Sequence, residues 1–139
     1  MAANDTERTI REYLDVLSAR GEFASFFADD VLWTTMETGE EIRGREAVTG
    51  FIVALHSEWF DASPEFGNLT VADGVAGLEA VFVGTHIADF AGVQATGAEV
   101  RMPYTVFYDV ADGKITALRA YFPLTSMVRQ LQEAAGVPA

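Results

Sequence analysis

The chain of 139 residues contains no cysteine. This absence excludes disulfide bonds, thiolate nucleophiles and metal sites with cysteine ligands. The sequence also has only two histidines, His56 and His86, and they lack the spacing of metal ligands. Neither a glycine-rich phosphate loop nor a serine nucleophile-elbow motif is present. We therefore expect a protein that uses neither a metal nor a cofactor.

Basic residues are scarce as well. Nine Lys and Arg stand against 21 Asp and Glu, which gives a formal net charge of −12. Nucleic-acid binding needs a basic surface, and an acidic surface is repelled by anionic membranes. No apolar run approaches the roughly 20 residues needed to span a bilayer. Residues 1–5 lack the basic and apolar regions of a signal peptide. We expect a cytoplasmic protein with neither nucleic acid nor membrane as a partner.

What the chain does have is apolar material. Hydrophobic residues make up 50% of the sequence and aromatic residues 12%. That composition supplies a core, and the length is that of one ordinary domain. The sequence therefore predicts a single domain over residues 1–139.

The N-terminal half is dominated by helical patterns. Residues 4–20 show apolar spacing typical of a helix, and residues 31–36 are rich in β-branched and aromatic residues typical of a strand. Residues 41–43 are expected to form a short return strand. A second long helix is predicted to open at Gly44 and to bury one face, which consists of Val48, Phe51, Ile52, Leu55 and Trp59.

The C-terminal half reads as strands joined by tight turns. Strands are predicted over residues 68–72, 77–90, 99–110 and 114–122, with Asp-Gly turns at 73–74 and 112–113. A final helix carries Met127, Val128 and Leu131. Helices followed by long, twisted strands indicate an α+β domain, in which a curved, mostly antiparallel sheet wraps around the N-terminal helices. We expect an internal pocket for a small apolar organic ligand.

Three stretches resemble a known family. They are GEEIRGREAV at 39–48, GTHIADFAG at 84–92 followed by ATG at 95–97, and DGKITALRAYF at 112–122. They are similar to the SnoaL-like polyketide cyclases of the nuclear-transport-factor-2-like superfamily, and more distantly to the limonene epoxide hydrolases. The resemblance implies a cone-shaped fold with an internal pocket and a homodimer. It also implies cofactor-free cyclase or isomerase chemistry, although relatives of this fold include proteins that only bind.

The chain departs from that family at the end of the last predicted strand. Many members carry an aspartate there as an acid/base, whereas Pro123 holds this position here and cannot transfer a proton. The five site positions of the epoxide hydrolases correspond to Asp89, Ile87, Pro123, Trp33 and Thr35. Only Asp89 keeps a charge, which argues against epoxide hydrolysis by the usual residues.

Two residues are candidates for the catalytic base. Asp89 near the end of a long apolar strand could face the pocket mouth, or it could cap the turn that follows. His86 could shuttle protons, or it could be packed in the sheet or at a dimer surface. Strand alternation places the two on opposite faces unless a bulge intervenes. His56 lies off the apolar stripe of its helix, and we expect it to be exposed.

Aromatic residues on separate strands are candidates for the pocket wall. Trp33, Tyr104 and Tyr121 would line it if they share the concave face, and the alternative is core packing. A tyrosine could stabilise an enolate, so Tyr121 joins Asp89 and His86 as a predicted catalytic residue. The predicted ligand-binding residues are Trp33, Thr35, Phe51, Leu55, Trp59, Ile87, Met102 and Tyr104.

Three functions remain open at this point. The first is an enzyme that transfers a proton next to a carbonyl group of a mostly apolar substrate, as a cyclase or isomerase. The second is a non-catalytic binder, which predicts an aromatic pocket with no carboxylate inside. The third is an interaction module whose sheet face forms a homodimer. Epoxide hydrolase-like activity would require a site of non-standard composition.

Overall fold

A computed structural model describes residues 3–136 of the chain. Helix α1 spans Ala3–Ser18 and buries the predicted face, including Ile10, Tyr13 and Leu14. The Thr6 hydroxyl accepts a hydrogen bond of 3.0 Å from the backbone N–H of Gly74, which ties the helix to a hairpin turn. The N-terminal helix is thus confirmed.

The remaining elements alternate between helices and strands before the long strands begin. A 3₁₀ helix covers Phe23–Phe26, helix α2 covers Arg45–Val53 and continues as a π-helical segment over Ala54–Glu58, and helix α3 covers Leu124–Ala134. The strands are β1 (Phe27–Thr35), β2 (Glu40–Arg43), β3 (Phe60–Ala62), β4 (Glu65–Ala72), β5 (Val75–His86), β6 (Glu99–Ala111) and β7 (Lys114–Tyr121).

These strands form one curled sheet in the order β2-β1-β7-β6-β5-β3, with β4 also paired to β5. All of these pairings are antiparallel except that of β1 with β7, which is parallel. The strand β5 pairs with β6 from Val75↔Asp109 to Thr85↔Glu99. The predicted α+β cone with a mostly antiparallel sheet is confirmed.

The Asp-Gly turns close both predicted hairpins. Asp112 and Gly113 have φ values of 54° and 73°, the left-handed conformation that two-residue hairpins favour. Gly74 has a φ of 82°, which glycine adopts at no steric cost. These turns set the registers of the long strands, and so determine which side chains reach the concave face.

The apolar side chains form two clusters. The first lies between α1, α2 and the concave face, and it includes Tyr13, Phe27 and Leu118. The second lies under α3 and β3, and it includes Phe60 and Met127. Full burial of one such side chain contributes about 1.5–3 kcal/mol. Tyr104 packs against both clusters and therefore marks their boundary.

Three element predictions need correction. The strand predicted over 77–90 ends at His86, which pairs with Phe60, the first residue of its neighbour β3. The short strand β3 itself was not predicted. The second long helix changes from α-helical to π-helical hydrogen bonding at Ala54. Within residues 3–136, no helix is long and apolar enough to cross a bilayer.

Candidate active site

A cavity lies between the concave face of the sheet and the helices. It is lined by Leu17, Trp33, Ile52, Leu55, His56, Phe66, Phe82, Tyr104, Val106, Tyr108, Leu118, Ala120 and Phe122. None of these residues is Asp, Glu, Lys or Arg. Among these lining residues, polar side-chain atoms occur only in the histidine, the two tyrosines and the tryptophan. The site is therefore apolar, with a few polar groups that can orient a guest.

The cavity is small. Its volume is about 40 Å³, which is room for little more than a water molecule. Pockets for drug-sized molecules hold about 300–1,000 Å³. A substrate with several carbon atoms therefore enters only if a lining side chain moves.

His56 is the titratable group with an unused basic nitrogen at this cavity. It lies in the π-helical segment, where the backbone N–H of Trp59 bonds to the carbonyl of Ala54 over 2.7 Å. Its Nδ1 lies 2.8 Å from the carbonyl oxygen of Ile52. A carbonyl oxygen can only accept a hydrogen bond, so Nδ1 carries the proton. In the neutral ring Nε2 then keeps its lone pair.

Burial lowers the pKa of His56 below its ordinary value of 6.5. The hydrogen bond to Ile52 opposes this effect on the pKa, and the positive charge of Arg20 adds to it. The ring is therefore neutral near pH 7, which is the form that can accept a proton. Short π-helical segments of this kind occur frequently at functional sites.

Tyr104 and Tyr108 line the same cavity as His56. Burial raises the pKa of both phenols, and for Tyr108 the neighbouring Tyr13 and Tyr104 raise it further. Both phenols therefore keep their protons at neutral pH and can donate hydrogen bonds. The cavity thus combines one neutral base with two donors.

The three predicted catalytic residues do not line this cavity. Asp89 is exposed in the loop three residues after β5, which agrees with the alternative of a loop aspartate and not with a place inside the predicted strand. Tyr121 is 48% exposed and lies on the opposite face of β7 from Ala120, which lines the cavity. His86 is fully buried at the end of β5, away from the cavity wall.

His86 is held as a packed residue within the sheet. Its Nδ1 accepts a hydrogen bond of 3.1 Å from the backbone N–H of Thr96 and lies 3.0 Å from the hydroxyl of the same residue. Its ring packs on Phe60 at a centroid distance of 5.3 Å. Its Nε2 is buried without a hydrogen-bond partner among the described residues. These contacts fasten the loop after β5 to the sheet.

Three of the predicted ligand-binding residues line the cavity, namely Trp33, Leu55 and Tyr104. Two others form an aromatic layer next to it. The ring of Phe51 lies 5.1 Å from that of Trp33 and 5.9 Å from that of Trp59. Five of the eight predicted residues therefore line the cavity or belong to the aromatic layer next to it.

The other three predicted ligand-binding residues lie elsewhere. Thr35 accepts a hydrogen bond of 2.9 Å from the indole N–H of Trp33, and so it orients that ring from outside the cavity wall. Met102 is buried in the second cluster, where its sulfur accepts a hydrogen bond from Gln130. Ile87 is 46% exposed. None of these three residues lines the cavity.

Sequence reasoning missed His56 as a site residue. The prediction that it is exposed is wrong, since it is half-buried and lines the cavity. Leu55 and His56 are adjacent in the π-helical segment, and both line the cavity. One signal was present in the sequence: His56 follows Ile52 by four residues, which places both on one helical face.

Larger depressions exist on the outer face of the sheet. One of about 630 Å³ is bordered by Tyr121, Pro123 and Glu65. Six of the twelve residues that border it are exposed, so a guest there would remain in contact with water. Ligand sites usually bury most of the ligand surface, which favours the interior as the site. Within residues 3–136, no group of three His, Asp or Glu side chains is arranged to hold a metal ion.

Comparison with known proteins agrees with this architecture. A structure described as a SnoaL-like polyketide cyclase from Jannaschia superposes with a TM-score of 0.82 at 18% identity, covering 92% of each chain. One described as a polyketide cyclase from Xanthomonas campestris gives 0.78 at 21% identity, covering 92% of this chain and 97% of that one.

A structure described as a ketosteroid isomerase from Kribbella flavida gives a TM-score of 0.67 at 23% identity, covering 86% of this chain and 78% of that one. At such identities the likeness concerns the fold. No curated protein matches the sequence. The sequence model of the SnoaL-like polyketide cyclases matches residues 7–131. The chain therefore belongs to the SnoaL-like polyketide cyclase family.

Proposed function

We propose that this protein is a cofactor-free enzyme that moves a proton next to the carbonyl group of a small, uncharged, mostly apolar molecule, as a cyclase or isomerase. The observation that carries the proposal is the state of His56. Its Nδ1 donates to the Ile52 carbonyl over 2.8 Å, which leaves Nε2 as a base beside an apolar cavity. This base replaces the predicted set of Asp89, His86 and Tyr121.

The proposed reaction uses groups of this chain alone. Nε2 of His56 takes a proton from the carbon next to the carbonyl, and the electron pair of that C–H bond moves to the carbonyl oxygen as an enolate. Tyr104 or Tyr108 donates a hydrogen bond to this oxygen, where negative charge develops. In an isomerisation, the imidazolium then returns the proton to another carbon of the conjugated enolate. In a cyclisation, the enolate carbon attacks a second carbonyl within the substrate and closes a ring, and the imidazolium gives its proton to the alkoxide that forms from that carbonyl.

The composition of the wall limits the substrate. No lysine or arginine lines the cavity, so a carboxylate or phosphate placed there would lose its hydration without gaining a counter-charge. A neutral carbonyl loses little on transfer and gains a hydrogen bond from a phenol. This supports a small neutral ketone or similar compound as substrate.

The direct test is deuterium exchange into ketones. The chain is incubated in D₂O with cyclopentanone, cyclohexanone and a steroid ketone, and loss of the proton signal next to the carbonyl is followed by NMR. General-base catalysis contributes about 10²–10⁴-fold in rate. His56→Asn keeps an N–H that can donate to Ile52 but has no basic nitrogen. We expect it to slow exchange at least about a hundredfold.

Asp89→Asn provides the matched control, because Asp89 is an exposed carboxylate outside the cavity wall. We expect its exchange rate to equal that of the parent chain. Loss of exchange in Asp89→Asn with full exchange in His56→Asn would assign the base to Asp89 and contradict the proposal. Exchange no faster than in buffer for every ketone would contradict it as well.

A second candidate function is a non-catalytic binder of small apolar molecules. One observation favours it: among residues 3–136, no carboxylate side chain lines the aromatic cavity. The two candidates differ in what His56→Asn does. For a binder, ketones shift the fluorescence of Trp33 in both chains and exchange occurs in neither. For an enzyme, binding persists in the variant while exchange is lost.

We also propose that the protein forms a homodimer, which the family resemblance supports. A cytoplasmic location is a separate part of the proposal. Two large side chains on the outer face support the dimer. Phe107 is 38% exposed and Tyr121 48% exposed, and their rings lie 6.1 Å apart. Covering them would remove apolar surface from water. Elution as a monomer in gel filtration at micromolar concentration would contradict this proposal.

A further inference from the structure

The cavity wall contains one residue that differs from the others in how it is held. Twelve of its thirteen residues belong to α1, to α2 and its π-helical extension, or to strands of the sheet. Phe122 is the exception, since β7 ends at Tyr121 and α3 begins at Leu124. Its backbone lies outside the regular hydrogen-bond ladders that fix the rest of the wall.

The ring of Phe122 occupies space between two other rings. It lies 5.5 Å from the ring of Phe82 in an edge-on arrangement and 5.4 Å from the ring of Tyr104. Tyr104 is one of the two proposed hydrogen-bond donors. The place that the Phe122 ring fills is therefore an aromatic slot that adjoins the proposed site.

The backbone around Phe122 forms a tight turn. Pro123 has φ −78° and ψ 73°, which are the angles of an inverse γ-turn. The N–H of Leu124 bonds to the carbonyl of Phe122 over 2.8 Å. Glu37 holds the next residue, Thr125, by accepting bonds from its N–H and hydroxyl at 3.0 and 3.1 Å. The ring is thus the part of this segment that can turn with the least loss of hydrogen bonds.

We propose that Phe122 is the residue that limits the size of the substrate, and that a planar, uncharged ring of the substrate takes the place of its phenyl ring. The proposal rests on the proposed function for its account of the site as catalytic. It explains how a cavity of about 40 Å³ can serve a substrate of several carbons. The slot vacated by Phe122 then brings the guest beside Tyr104.

Benzene binding tests this proposal without reference to turnover. An apolar cavity of about 150 Å³ is known to stay dry and to bind benzene. Phe122→Ala adds the volume of a phenyl ring to the existing cavity. We expect isothermal titration calorimetry to give a benzene Kd at least about tenfold lower for Phe122→Ala than for the parent chain.

Two further measurements locate the effect. Iodobenzene quenches indole fluorescence on contact, and Trp33 lines the cavity. Quenching measured in a Trp59→Phe background, where Trp33 is the only indole, should be stronger in Phe122→Ala. The matched control is Phe107→Ala, which removes an exposed ring from the outer face and should leave the benzene Kd unchanged.

The outcomes separate the two proposals. A benzene Kd that does not fall in Phe122→Ala, or that falls equally in Phe107→Ala, overturns the role of Phe122. If Phe122→Ala does not fold, Phe122→Leu removes part of the ring and should lower the Kd about threefold. Tighter benzene binding combined with unchanged deuterium exchange in His56→Asn would keep this inference and reject the proposed base.

Discussion

The two histidines of the chain occupy buried or half-buried positions with opposite chemistry. At His56 the Nδ1 faces the carbonyl oxygen of Ile52, so Nδ1 holds the proton and Nε2 is an acceptor. At His86 the Nδ1 receives the N–H of Thr96, so the proton lies on Nε2. The direction of one hydrogen bond therefore decides which histidine can act as a base. Burial alone does not decide which histidine can act as a base.

The largest expected effect concerns stability at His86. In His86→Ala the Thr96 N–H loses its acceptor and a fully buried ring is replaced by a cavity. We expect a loss of about 2–4 kcal/mol in the free energy of unfolding, measured with urea. The same substitution at the half-buried His56 should cost less than about 1.5 kcal/mol. Equal losses of unfolding free energy at both positions would contradict the expected difference between the two histidines.

The next effect concerns the hydrogen-bond donor. Tyr104 lines the cavity, and Tyr104→Phe removes its hydroxyl group while keeping the ring. We expect ketone exchange to slow by about tenfold or more, in kcat and kcat/KM alike, because the bond forms to the developing enolate. Tyr121→Phe is the same change on the exposed outer face and should have no effect. If the exchange rate fell in Tyr121→Phe alone, Tyr121 and not Tyr104 would be the hydrogen-bond donor.

A smaller effect is expected where His86 meets its loop. Thr96→Val removes the hydroxyl that lies 3.0 Å from His86 Nδ1 and accepts from the N–H of Ala98. We expect a loss of about 1 kcal/mol in unfolding free energy, with ketone exchange unchanged. A fall in exchange would show that this region takes part in the reaction.

The smallest effect is a pH dependence that belongs to His56. The unfolded chain binds a proton at this histidine near pH 6.5, whereas in the folded chain its pKa is lowered, mainly by burial. Below pH 6.5 the unfolded chain holds more protons, so stability decreases as the pH falls. Urea unfolding between about pH 7 and about pH 5 should therefore show a shallower decrease for His56→Asn than for the parent chain. Identical curves would contradict the lowered pKa.

Much of the fold could be predicted because its signals are local. The face of α1, the two Asp-Gly turns and the long apolar strands follow from spacing and turn chemistry. The end of β5 could not be predicted in this way. A strand continues only while it has a neighbour, and β3 reaches no further than Phe60, its first residue, which lies opposite His86. That neighbour is distant in sequence, so a pattern over residues 77–90 does not reveal it.

The site was less predictable than the fold for a related reason. Tyr121 and Phe122 are adjacent, but Tyr121 ends β7 on the outer face, whereas Phe122 lies beyond the strand and lines the cavity. His56 was missed because the predicted apolar face was built from hydrophobic residues alone, although His56 follows Ile52 by one helical turn and lines the cavity with it. Trp33 and Tyr104 were found because aromatic residues in central strands usually face a core.

The parallel pairing of β1 with β7 has a consequence for synthesis. Within the sheet, β1 and β2 reach the other strands only through β7, which ends at Tyr121. The ribosome makes β7 after β1, β2 and all the other strands of the sheet, so this edge cannot dock until Tyr121 has been made. Such distant pairing slows folding. A nascent chain stalled before Lys114 should therefore expose β1, which contains Trp33, to chaperones and proteases.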